Sequence, residues 1–314
     1  MNSRFFFLHS AFSFLRPASF LLEHPVLLVV NSNCLIPQVS TLALLEVPMM
    51  QLFTDSFSMG LLASLIAGAA TGLGSLPIFV RKDFSRRTLD LMLGFAAGVM
   101  LAASSFSLLV PAFEDASVVA TGWVGVFTIV GTGFLLGAGF VHLTDKYLPH
   151  EHFQKGPEGP SSKLARVWLL VIAITIHNFP EGLAVGVSFG GNDMITGISV
   201  AVAIGLQNIP EGLAVAAPLV REGYSRKYAA VLALLTGLVE PIGGLIGVSV
   251  VTFAMGLLPY GLAFAAGAMI FVVGDEMVPE SHAGGNERLA TWGLMAGFIV
   301  MMSLDNVFSF LFGG

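Results

Sequence analysis

Eight times between residues 59 and 312 the chain enters an apolar run of about twenty residues or more and leaves it through a short polar segment. A hydrocarbon layer about 30 Å thick takes roughly 20 residues of helix to cross, and only helices or closed barrels satisfy their own backbone there. The runs are Met59–Val80, Leu89–Phe113, Trp123–Leu143, Val167–Phe189, Ile195–Val220, Tyr228–Phe253, Tyr260–Glu280 and Leu289–Phe312. They lack the short alternating segments of a barrel. Charged residues make up 11% of the chain, where a soluble domain has about 25%. Hydrophobic residues make up 55%, with a mean hydropathy of +0.84, more than one core can hide. The expected fold class is an all-α polytopic membrane protein with eight transmembrane helices.

Lys and Arg are retained on the cytoplasmic side of spans. Here they follow the odd-numbered runs: Arg81, Lys82, Arg86 and Arg87; Lys146, Lys155, Lys163 and Arg166; Arg221, Arg226 and Lys227; and Arg288. The segments around Glu114, Asp193 and Gly256, and the C-terminal end, carry none. This pattern predicts both ends outside in a multi-pass membrane protein.

Residues 1–50 stand apart, with Arg4, Arg16 and an apolar stretch from Val26 to Leu45 broken by Asn31, Asn33, Pro37 and Gln38. They read as a signal-like leader, an extra span, or translation begun upstream of a true start at Met49 or Met50. Residues 51–314 form the membrane domain, with a cytoplasmic loop at about 145–165 expected to be mobile and solvated. One cysteine, Cys34, excludes a Cys-based zinc cluster or an intrachain disulfide. A net charge of -6 excludes the basic patch of a nucleic-acid binder, and no Gly-rich phosphate loop suggests ATP.

Ionisable groups in mid-span cost about 2.5–3.5 kcal/mol each, so each needs a partner or a purpose. The fourth run contains His177-Asn-Phe-Pro-Glu-Gly182 and the fifth Gln207-Asn-Ile-Pro-Glu-Gly212, both continuing Leu-Ala-Val, 30 residues apart. This is an internal repeat on consecutive, antiparallel helices. His177 shares a helix face with Glu181, as Gln207 does with Glu211, and Asn178 and Asn208 lie beside them. Where the helices cross, an imidazole, two carboxylates and several amides converge, a nitrogen and oxygen set suited to a divalent transition metal. Pro180 and Pro210 withhold a hydrogen bond from the carbonyls of Ile176 and Leu206, which predicts a kink in each helix.

Other acids are weaker candidates. Glu240, before Pro241, could complete a second ion position. Asp275 and Glu276 read as an exit station or as interfacial residues, and Asp305, Glu114 and Asp115 as attractors at the entrance, with solvation the plainer reading of the last two. Ser104, Ser107 and Met100 read as helix packing. His150 and His152 are loop candidates for a metal pathway, with solvation again the plainer reading.

The paired motifs, the segment from Leu93 to Gly98, the Pro149-His-Glu-His loop and the stretch from Ala265 to Val273 resemble the ZIP (Zrt/Irt-like) metal transporters, prokaryotic members in particular. The likeness runs from about Met59 to the C-terminus. It implies an eight-helix bundle, a homodimer, an elevator-like movement and a binuclear site. His177, Glu181, Gln207 and Glu211 match the first metal position; Asn178, Glu181, Asn208, Glu211 and Glu240 match the second. In some close relatives the position of Asn208 is an aspartate and that of Asp275 a histidine. The expected function is transport of zinc, with cadmium, iron and manganese as alternatives, as substrate and not as cofactor. An intramembrane zinc metalloenzyme and a non-transporting metal sensor are the competing readings.

Overall fold

The computed structural model describes residues 55–81, 83–152, 156–161, 166–191 and 193–312; the three readings of residues 1–50, and Cys34, lie outside the described residues. Among the described residues, eight helical spans are long and apolar enough to cross a membrane: Ser56–Val80, Arg86–Val119, Gly122–Tyr147, Val171–Gly190, Met194–Arg221, Arg226–Phe253, Met255–His282 and Glu287–Phe308. The chain is a multi-pass, all-α membrane protein, apart from one small hairpin. Side-chain caps mark several helix starts: Ser85 accepts from Thr88 N, Asp193 from Ile195 N and Thr196 N, and Ser225 from Tyr228 N. Arg221 donates to the Phe84 carbonyl, Arg226 to the Phe79 carbonyl and Arg86 to Glu280, so the ends of the first, fifth and seventh spans meet at one cation-bearing face. Trp168, Tyr224 and Tyr228 cluster at that face, the two tyrosine rings stacked at 5.5 Å, as interfacial aromatics do.

Helices Arg166–Gly190 and Met194–Arg221 each continue as one helix through Pro180 and Pro210. The first and sixth spans are interrupted: helix Ser56–Gly74 gives way through two turn residues to a short helix Pro77–Val80, and in the sixth a helix Arg226–Gly237 ends, two residues turn, and a second helix begins at Glu240 with Pro241 in its first turn, where a missing N–H costs nothing. The second span passes through a π-helical stretch, Ala103–Leu109, and the seventh through another, Val273–Met277. Such stretches, with i to i+5 bonding, gather at functional sites. The second carries Asp275 and Glu276.

The polar segment after the third span also departs from the expected solvated loop. Asp145 belongs to helix Gly122–Tyr147, and strands His150–His152 and Gly156–Glu158 pair antiparallel with His150 opposite Glu158. His150 is fully buried, its Nδ1 2.8 Å from the Leu148 carbonyl, so solvation is overturned for that residue. The side chain of His152 lies outside the described residues.

Glycine decides which helices touch most closely. A Cβ on Gly68 would collide with the Gly237 carbonyl, on Gly212 with that of Thr71, on Gly182 with that of Glu240 and on Gly186 with that of Gly244. These contacts lock the first, fourth, fifth and sixth spans together. Gly94 and Gly98 meet the backbone of Ala290 and Leu294, joining the second span to the eighth; Gly137 and Gly267 meet Phe264 and Phe134, joining the third to the seventh. Backbone-to-backbone glycine contacts thus stay within these sets, while the second and fifth spans meet through Val99, Ala102, Ala103 and Ala203. Outward faces carry Ile66, Trp123, Leu135, Trp292 and Phe310, all exposed, as a lipid solvent requires.

Candidate metal centre

The two repeated motifs meet inside the first glycine-locked set. Asn178, Glu181, Gln207, Asn208 and Glu240 are buried almost completely, and Glu211 nearly so. Glu181 faces Gln207 and lies within electrostatic reach of Glu211 and Glu240, while His177 acts on Glu211. The final glycine of each motif explains this gathering. Gly182 admits the backbone of Glu240 directly beside Glu181, and Gly212 admits the first span beside Glu211.

Several side-chain atoms in this cluster have no hydrogen-bond partner: both carboxylate oxygens of Glu181, both amide atoms of Gln207 and Oε2 of Glu211, and beside them both amide atoms of Asn178, Oδ1 of Asn208 and Oε2 of Glu240. Buried polar atoms left alone cost about 1–3 kcal/mol each, so native proteins rarely keep them without a ligand or a task. A set of carboxylate, amide and imidazole donors without sulfur fits a divalent transition-metal cargo.

Asn208 is tied on its other side. Its Nδ2 donates to the Ala67 carbonyl at 2.7 Å and to Glu240 Oε1 at 2.6 Å. Glu240 therefore meets the cluster through an amide.

His177 also belongs to a second group that spacing did not reveal. Its Nε2 lies 2.8 Å from Glu276 Oε2, and the donor atoms of Asp145, His177 and Glu276 all fall within 4.8 Å of one another. His150 Nε2 stands 3.8 Å from Asp145 Oδ1. Glu276 is buried, which removes the interfacial reading for that residue, whereas Asp275 is half-exposed and outside the cluster. Asp145 went unread because it precedes Lys146 at a span end, where an acid is ordinarily solvated. Its partners stand on other spans.

Towards the opposite face, Asp305 Oδ1 accepts hydrogen bonds from Ser107 at 2.9 Å and Ser199 at 2.8 Å, joining the eighth, second and fifth spans. Ser107 thus has a polar partner beyond helix packing. Glu114 is exposed and Asp115 half-exposed, in keeping with solvation.

A polytopic bundle with imidazole, carboxylate and amide donors sealed between antiparallel spans defines a membrane protein equipped to handle a metal cation. Residues 149–305 match the family model described as ZIP zinc transporter. The chain is 49% identical over 247 residues to the zinc transporter GufA of Myxococcus xanthus, covering 78% of this chain and 97% of that one. It is 45% identical over 253 residues to the zinc transporter ZIPB of Bordetella bronchiseptica, covering 76% and 77%. It is 38% identical over 335 residues to the human zinc transporter ZIP11, covering 80% and 97%. The chain belongs to the ZIP family, and is a transporter and not an enzyme.

Proposed function

We propose that this chain carries divalent transition-metal ions, zinc first among them, into the cytoplasm by alternating access, with His177, Glu181, Gln207 and Glu211 holding the ion. Asn178, Asn208 and Glu240 border that set in the same buried cluster. The observation that carries the reading is the burial of both repeated motifs against each other, with donor atoms that no protein group satisfies.

The ion sheds water on entry because the cluster is closed to it, and the carboxylates supply the compensating charge. Asp305 with Ser107 and Ser199 stands on the entry side. His177, shared between the motif cluster and the group of Asp145 and Glu276, hands the ion on towards the cation-rich face, which we assign to the cytoplasm; both chain ends are then outside. Glycine-sealed contacts support motion of the first, fourth, fifth and sixth spans as one body against the others. An apolar groove along that seam, lined by Leu183 and Val187 on one side and Leu136 and Phe264 on the other, opens to the outward face. The second body is the place for a homodimer contact, and a bacterial inner membrane the expected location.

The test is zinc flux into proteoliposomes holding a zinc-responsive dye, for the native chain, His177→Ala and Glu211→Ala, with cadmium, iron and manganese as competitors. Saturable flux lost in both variants is expected. A folded, zinc-binding native chain without flux would overturn the reading in favour of a sensor.

A further inference from the structure

We infer that the side-chain amide of Asn208 stands in place of a second metal ion, so that this chain holds one divalent ion in its motif cluster and uses Glu240 as a structural anchor. The inference rests on the transport reading above and sharpens it.

The amide's orientation is decided by its neighbours. The Ala67 carbonyl and Glu240 Oε1 are both acceptors, so the nitrogen must face them; turning the amide over would set oxygen against oxygen. Both N–H groups are then committed. One binds the first span, the other the sixth, and Asn208 itself belongs to the fifth, so three helices are tied at one amide. The backbone around this knot is fixed: Gly68, next to Ala67, seats the first span on the Gly237 carbonyl, and Gly182 seats the fourth on the Glu240 carbonyl.

Charge counting points the same way. Glu181 and Glu211 together neutralise one divalent ion. A second would have only Glu240 opposite it, and the oxygen Oε1 of that carboxylate already faces the positive end of an N–H. The remaining Asn208 Oδ1 offers a lone pair but no charge. The surplus positive charge would sit in a medium of low dielectric, where an uncompensated charge costs several kcal/mol. An aspartate at 208 would reverse each term: the donor disappears, two carboxylates face one another, and a cation between them becomes the favourable link.

The experiment counts zinc per chain by elemental analysis after equilibrium dialysis of the full-length protein in nanodiscs. The series is the native chain, Glu240→Ala, Asn208→Asp and the double variant, each also melted in EDTA. Expected are equal counts for the native chain and Glu240→Ala, one more equivalent in Asn208→Asp, and loss of that equivalent in the double variant. In EDTA both single variants should melt lower than the native chain, and only Asn208→Asp should recover with zinc. Loss of one equivalent on Glu240→Ala, or no gain on Asn208→Asp, overturns the inference and leaves the transport reading standing. A native chain that binds no zinc at all overturns the transport reading itself. If Glu240→Ala fails to fold, the count for Asn208→Asp decides.

Discussion

The imidazole Nε2 of His177 lies 2.8 Å from Oε2 of Glu276, so the one histidine of the repeated motifs faces a carboxylate on the other body of the protein. His177 stands on the fourth span, inside the glycine-locked set, and Glu276 on the π-helical turn of the seventh. A carboxylate beside a ligating histidine fixes the orientation of the ring and raises its basicity, and removing such a partner typically costs 10- to 100-fold in metal affinity or activity.

Glu276→Ala should therefore lower zinc turnover about tenfold or more while the protein stays folded. Steady-state flux across zinc concentrations checks this, and Glu276→Gln, which keeps an acceptor oxygen, should fall between the two. Unchanged flux in Glu276→Ala would remove the residue from the path.

Transport should weaken in acid. A metal ligand must shed its proton, so protons compete with the ion for the same atoms. The sign is therefore loss of apparent zinc affinity as pH falls, with the KM for zinc rising by up to about tenfold per pH unit where one proton is displaced. Initial flux rates at a series of outer pH values measure it, and a KM that stays flat across them would contradict an imidazole ligand.

Gly182→Ala should be damaging out of proportion to one methyl group. The added carbon would collide with the backbone of Glu240, and backbone cannot rotate away as a side chain does. A loss of about 1–3 kcal/mol is expected, read as a lower melting temperature, together with loss of flux as Glu181 is pushed from its partners. Gly139→Ala is the control, since a Cβ there meets nothing within 4 Å. Equal behaviour of the two variants would refute the role given to Gly182.

The sequence by itself determined the eight spans of the described residues and the two motifs, because both are written in local periods. Lipid demands some twenty apolar residues at a time, and a helix sets residues four apart on one face, so His177 with Glu181 and Gln207 with Glu211 were legible without coordinates. Boundaries were less so: the second span runs on to Val119, past Glu114 and Asp115, since caps and π-helical turns depend on neighbours.

Only the tertiary structure decided which groups meet across helices. Asp145 with Glu276, the Asn208 bond to Glu240, and Asp305 between two serines each join residues distant in sequence, and no periodicity carries such contacts. The interruption before Glu240, where Gly237 packs on Gly68 and Pro241 restarts the helix, was not legible either, since the fourth and fifth spans carry their own prolines and yet each continues as one helix. A proline removes one hydrogen bond, but whether its helix stops there depends on what is packed around it.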